Sequence, residues 1–225
     1  MGQPGARAVV PEKSRAVPAS AREPRDAAAR PLDEVMHRYA CGEDGALDEV
    51  YRLGAPRVRA FLARLCADLA LADDLTQEAF LRVYRARGSF AAGASALPWM
   101  LAIARNAFLD HIRRERVRRD HQATSAEEQR GQPVALDNGS DRAVMARQML
   151  GVAQRALMEL PVRQREAFVL MRFEGLSIDE AAEVLGTTQA AVKILVHRAC
   201  VAIRAALDRE DTGRVGPRAA AGHVR

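Results

Sequence analysis

The stretch LPVRQREAFVLMRFEGLSIDEAAEVLGTTQAAVKILVHRACVAIRAAL, residues 160–207, contains two short helical patterns divided by Gly186-Thr187-Thr188. Ser177 with Glu180 three residues on forms a capping box, in which the hydroxyl accepts the N3 amide and the carboxylate reaches back. Ile178, Ala181, Ala182 and Leu185 then repeat at helical spacing. Gly186 supplies the left-handed residue that ends a helix. Thr188 can cap the next one, whose apolar face is Val192, Val196, Ala199 and Ile203. Helix, tight glycine turn, helix is a helix-turn-helix pattern, or a plain helical hairpin in an all-α domain. The second helix of a helix-turn-helix lies in the DNA major groove. Here it carries Thr188, Gln189, Lys193, His197 and Arg198, most of them types that contact base edges or phosphates.

Composition agrees with an all-α chain. Of 225 residues, 48% are hydrophobic but only 4% aromatic, so the cores are aliphatic, and β-branched runs are nearly absent. The net charge of +5 suits an anionic partner. Lys13 and Lys193 are the only lysines, a skew that even the ends share and that reads as compositional bias. Cys41, Cys66 and Cys200 form no C-x-x-C pair. With no signal peptide or membrane-length apolar run, the chain is expected in the cytoplasm, without membrane insertion. His37 with Cys41 and His197 with Cys200 have ligand-like spacing but no further ligands nearby, so no metal and no cofactor is expected.

Upstream, residues 1–30 are rich in Pro, Ala and Arg without apolar period and read as a disordered arm. Helical patterning starts at Pro31 and runs to Cys41-Gly42. It resumes from Gly45 to Cys66, with Gly54 and Pro56 expected to break or kink it midway. A long helix over about 70–87 places Asp73, Asp74 and Glu78 in its first half and Arg82, Arg85 and Arg87 in its second, an order that also suits the helix dipole. After the small-residue loop SFAAGASAL (89–97), Pro98 begins a helix in which Arg105, Arg113, Arg114, Arg116, Arg118 and Arg119 face only Asp110 and Glu115. Such a helix is either a solvated face or a phosphate track. Residues 120–141 lose the period and gain Gly, Pro, Gln and Ser, which predicts a flexible linker. The chain therefore reads as two small helical domains, 31–119 and 142–207, followed by a disordered tail over 208–225.

Four segments in order resemble the extracytoplasmic-function (ECF) sigma factors of bacteria. ADDLTQEAFLRVYRAR is similar to the family's A-E-D-L-T-Q-E-x-F-L-x-x-W. LPWMLAIARNAFLDHIRR is similar to W-L-x-x-I-A-R-N-x-x-x-D-x-x-R-R. GEDGALDEVY resembles G-D-x-x-A-F-x-x-L-Y, and LSIDEAAEVLGTTQAAVKILVHRA resembles L-S-Y-x-E-I-A-E-x-L-G-x-S-x-G-T-V-K-S-R-x-x-R-A. The resemblance spans about residues 32–207 and implies a subunit of RNA polymerase that directs it to promoters. It implies that 31–119 is a region 2-like domain and 142–207 a region 4-like domain. Asp73, Asp74, Gln77 and Glu78 then fall where the family docks on the clamp helices of the polymerase largest subunit. Loop 89–97 falls where a flipped −10 base is captured, and Arg105, Asn106, Asp110, Arg113 and Arg114 on the helix that meets that element. Thr188, Gln189, Lys193, His197 and Arg198 fall on the −35 reading helix. Anti-sigma partners are common in the family, so the resemblance implies one as a possible partner, and nothing in these residues encodes its identity.

Two departures bear on DNA reading. Ala190-Ala191 replaces the family's Gly-Thr, and Ile194-Leu195 replaces Ser-Arg, which removes a cation and puts two aliphatic side chains on the outer face of the helix. Leu195 can meet a thymine methyl, pack on a neighbouring helix or mark a partner surface, the last two being the expectation. The competing function is a stand-alone helix-turn-helix regulator, which needs neither the acidic-then-basic helix at 70–87 nor the basic helix at 98–119. An enzyme is not expected, because no nucleophile with a paired base, P-loop or metal cluster is present.

Overall fold

The computed structural model describes residues 29–121 and 141–214, and all regular structure among them is helical. The expected arm and linker fall almost wholly outside the described residues, as do residues 215–225. The helices are α1 (Ala29–Ala40), α2 (Leu47–Cys66), α3 (Leu69–Ala86), α4 (Ala96–His121), α5 (Asp141–Glu159), α6 (Val162–Arg172), α7 (Ile178–Leu185) and α8 (Gln189–Arg214).

Helices α1 to α4 pack mutually, with α2 touching all three others. Their shared interior is aliphatic with a few large rings: Met36, Tyr39, Val50, Phe61, Leu62, Leu65, Met100 and Leu101 are fully buried. Helices α5, α6 and α7 each pack on α8. The two groups also meet directly, α4 against α7 and α2 against α6, and their apolar residues form one contiguous core from Leu32 to Ala199.

Local chemistry sets most of the helix ends. Ala67 adopts the left-handed conformation (φ 54°) after α2, and Asp68 caps α3 by accepting the Leu71 amide at 3.1 Å. Helix α4 begins at Ala96, earlier than the expected Pro98. Its first amide donates to the Asp33 carboxylate of α1 at 2.7 Å, a cap supplied from across the fold. Pro98 sits in the first turn, where its missing N–H costs nothing. Helix α8 runs past Leu207 to Arg214, so residues 208–214 are helical and the expected tail boundary lies too early.

Helix α2 is unbroken, contrary to the expected interruption at Gly54 and Pro56. Pro56 forfeits one backbone hydrogen bond, but α2 is gripped by α1, α3, α4 and α6 along its length. Gly54 is a contact point. A Cβ there would stand 2.5 Å from Met100 Cε and 3.2 Å from Met100 Sδ. The residue that looked like a helix breaker lets α4 approach α2. Gly54→Leu is expected to cost about 1–3 kcal/mol by overpacking. Urea denaturation measures it, and Met100→Ala in the same chain should recover part of the loss.

Candidate nucleic-acid and polymerase interface

Three surfaces carry the residues singled out in the sequence. The first is the N-terminal half of α3. Asp74 and Gln77 are exposed and make no side-chain hydrogen bond or ion pair among the described residues. Asp73 is tied to Arg59 of α2, with a second hydrogen bond from Arg59 Nη2 to Oδ2 at 3.2 Å. That guanidinium holds the Asp73 carboxyl below the usual range. Glu78 accepts from Arg82 Nε at 2.8 Å, and Arg82 Nη1 donates to Asp110 Oδ2 of α4, also at 2.8 Å. The four polar residues are therefore not equivalent. Asp73 and Glu78 brace α3 against its neighbours, while Asp74 and Gln77, with Leu81 and Tyr84 further along, face outward.

The second surface is α4 with the loop before it. The loop's Ala91–Gly93 backbone is exposed and turns through Gly93 at φ 77°. Phe90 is buried at its base, edge-on to Trp99 with ring centroids 5.4 Å apart. The Asp33 carboxylate fixes the other end at Ala96; burial pushes its pKa up, and the amide it accepts opposes the rise. On α4, Asn106 is exposed, as are Arg113 and Arg114. Asp110 is engaged by Arg82 and lies 3.5 Å from Arg113, so it organises cations rather than standing free. Arg114 Nε donates to the Asp110 carbonyl at 3.2 Å.

Arg105 departs from the others. It is only 9% exposed and faces α6, not solvent. Its Nη2 donates to Glu166 Oε2 at 3.2 Å, and its Nε lies 3.0 Å from Oε1 without the alignment of a hydrogen bond. Glu166 is fully buried; burial pushes its pKa up and Arg105 pulls it back. The sequence gives no local signal for this pair, because its members stand 61 residues apart.

The third surface is the helix-turn-helix. Ser177 and Glu180 form the capping box, with the Glu180 amide on Ser177 Oγ at 3.2 Å and the Ser177 amide on Glu180 Oε2 at 2.7 Å. Gly186 closes α7 at φ 60°, and Thr188 Oγ1 accepts the Ala191 amide at 3.2 Å to cap α8. Gln189 is bonded to Asp179 of α7. Lys193 and His197 line an open groove with Arg172 and Arg204 over an apolar floor of Met171, Val192 and Val196, and Arg198 is exposed beside it. The expected outward pair separates. Ile194 is 52% exposed, whereas Leu195 packs on the core. Helix α8 is covered by α5 as well as α6 and α7, which leaves a narrower free face than a two-helix hairpin would.

Comparison with known proteins accords with this geometry. The Sigma-70 region 2 model matches residues 50–118, within α2 to α4, and the Sigma-70 region 4 model matches residues 150–203, within α5 to α8. The chain is similar to RNA polymerase sigma factor CarQ of Myxococcus xanthus, 34% identical over 72% of this chain and 90% of that protein. It is also 34% identical to ECF RNA polymerase sigma factor SigM of Mycobacterium tuberculosis, over 80% of this chain and 86% of the relative. The chain belongs to the ECF RNA polymerase sigma factors. Among solved structures, the sigma factor RpoE of Bartonella quintana, in complex with the anti-sigma factor NepR, has a TM-score of 0.61 at 25% identity, over 72% of this chain and 96% of that one. CnrH, in complex with the cytosolic domain of CnrY, shares the fold at TM-score 0.57 and 21% identity, over 80% of this chain and 98% of that one. None of the described helices of this sigma factor is long and apolar enough to cross a membrane.

The exposure difference on α8 decides where a missing cation can be restored. Ile194→Arg is expected to tighten binding to duplex DNA and to steepen its salt dependence by about one counterion. Leu195→Arg is expected to lower the melting temperature instead, because it places a charge among packed apolar groups. Fluorescence anisotropy across a salt series and thermal denaturation check the two.

Proposed function

We propose that this sigma factor divides its work among the three surfaces in chain order. The outward face of α3 docks on core RNA polymerase, at the clamp helices of its largest subunit. The loop over 89–97 and the exposed side of α4 take the −10 element as a single strand, and α8 reads the −35 element. The observation that carries the reading is the coexistence, in one chain and in this order, of an outward polar patch at Asp74 and Gln77 on α3, an arginine-rich helix beside an exposed loop, and a capped helix-turn-helix. A self-sufficient regulator uses only the last. The protein acts in the cytoplasm, where the DNA is, and carries out no catalytic step of its own. A partner of the anti-sigma kind, as NepR is for RpoE, belongs to the same reading.

The chemistry follows from the surfaces. Each arginine that neutralises a phosphate releases condensed counterions, so the tail of α4 supplies affinity without sequence information. Extruding a base costs a few kcal/mol of unstacking, which a pocket beside a cationic strand track offsets. The Phe90–Trp99 pair gives the loop a rigid base from which a small pocket can be built. On α8, Lys193, His197 and Arg198 reach the duplex, while Thr188 and Gln189 set the helix start and its junction with α7.

The test lies on α3. Asp74→Arg with Gln77→Arg changes only residues without side-chain partners among the described residues, leaving Glu78 to hold Arg82. The double variant is expected to keep its circular-dichroism spectrum and lose association with core polymerase and promoter-directed transcription. Like charges across an interface cost several kcal/mol, and each 1.4 kcal/mol is tenfold in affinity. A folded double variant that still binds core and initiates normally would sink the docking assignment. A wild-type chain that ignores core polymerase but binds an operator alone would favour the regulator.

A further inference from the structure

The side of α2 and α4 that faces α6 is not a plain apolar seam. Besides the Arg105–Glu166 pair, Glu174 of the α6–α7 turn is buried and held from α2. Arg57 Nε donates to its Oε2 at 3.1 Å, Arg57 Nη2 to its carbonyl at 2.9 Å, and Arg64 Nη1 lies 3.6 Å from Oε1. The Arg64 guanidinium also covers the Phe173 ring at 4.5 Å. From the other side, Arg165 of α6 donates to the Leu65 carbonyl at the end of α2, and to the Met158 and Leu160 carbonyls at 2.6 and 3.2 Å. The contacts to Glu166, Glu174, Phe173 and the Leu65 carbonyl join the region 2 half of the chain to the region 4 half, while those to Met158 and Leu160 tie α6 to the chain before it.

We propose that these contacts form a polar lock by which the protein holds its own −10 helix closed, with the Glu166 carboxylate occupying the Arg105 guanidinium in place of a DNA phosphate. The proposal rests on the assignment of α4 to the −10 strand. The Arg105 fork is enclosed by one carboxylate, and a phosphate can reach it only after α6 moves away from α4. Strand and region 4 therefore compete for one cation. The lock is also poised to open. A buried ion pair gains little over its desolvation cost unless its geometry is excellent. Here one hydrogen bond of 3.2 Å is formed, and Arg105 Nε and Glu166 Oε1 are left without aligned partners. Opening returns both groups to water or hands Arg105 to a phosphate, so core polymerase or promoter DNA shifts the equilibrium by binding only the open form.

The experiment uses the full chain. Glu166→Gln removes the competing charge and leaves Arg105 in place. The radius of gyration from small-angle X-ray scattering is expected to rise. Affinity for a fluorescein-labelled single-stranded oligodeoxynucleotide of mixed sequence should increase about tenfold, as when an open fraction of about one in ten approaches unity. The salt dependence should steepen by about 0.7, one more single-strand phosphate contact, and Arg105→Ala added to Glu166→Gln should abolish that increment. Arg57→Ala with Arg64→Ala unlatches the Glu174 side without touching α4. It is expected to expand the chain likewise, and it serves as the check if Glu166→Gln fails to fold. If neither variant expands the folded chain, the lock is refuted. Expansion without tighter strand binding would leave the lock standing and overturn the role of Arg105 in the −10 reading.

Discussion

Two carboxylates of the region 4 half, Glu166 and Glu174, are buried almost completely, and each is answered by arginines from the region 2 half. An ionised carboxylate withdrawn from water is costly unless it is paired. That cost fixes the relative placement of the halves more narrowly than apolar contact does, because hydrophobic burial is non-directional. Leu32 to Ala199 would still form a shared core if α6 slid along α2 by a turn. Arg57 would then lose Glu174, and Arg165 would lose the Leu65 carbonyl.

The same economy shapes the surface of α3. One arginine, Arg82, joins Glu78 on its own helix to Asp110 on α4, and Arg59 of α2 pairs with Asp73. Polar residues that share a motif thus split into braces and outward groups. The braces orient α3 and α4 so that the outward pair, Asp74 and Gln77, and the exposed arginines Arg113 and Arg114 are presented by a rigid frame. Placing the proposed polymerase and strand contacts on two helices of one braced unit would hold the distance between them constant.

Most of the fold was legible because its signals are local. The Ser177–Glu180 box, the left-handed Gly186 and the Thr188 cap act within three or four residues, and all form as the sequence dictates. The α4 start was misplaced because its cap, Asp33, comes from α1, 63 residues away. Gly54 and Pro56 read as a break because propensity describes an isolated helix, whereas α2 is held on several sides. Ile194 and Leu195 read as one outer pair, yet Leu195 packs on the core, one of the two roles expected of it, and Ile194 alone stays outward. The identity of the helix-turn-helix was legible on the same grounds. The burial of Arg105 was not, since residue type and register are the same whether a guanidinium faces a phosphate or Glu166.

The near-absence of lysine acquires a structural consequence at these joints. Arg165 spreads donors over the Leu65, Met158 and Leu160 carbonyls, Arg57 grips Glu174 by side chain and backbone at once, and Arg82 spans two carboxylates on different helices. Each task uses the planar fork, whose donors point in several fixed directions. A lysine ammonium offers a compact point charge, is more strongly hydrated and is costlier to bury. Whatever set the composition, a chain that answers buried carboxylates with guanidinium groups can place charge at a helix–helix joint and still satisfy more than one acceptor there. Arg105, which meets the single carboxylate of Glu166, carries the same planar fork, and that fork is also well shaped to take a phosphate.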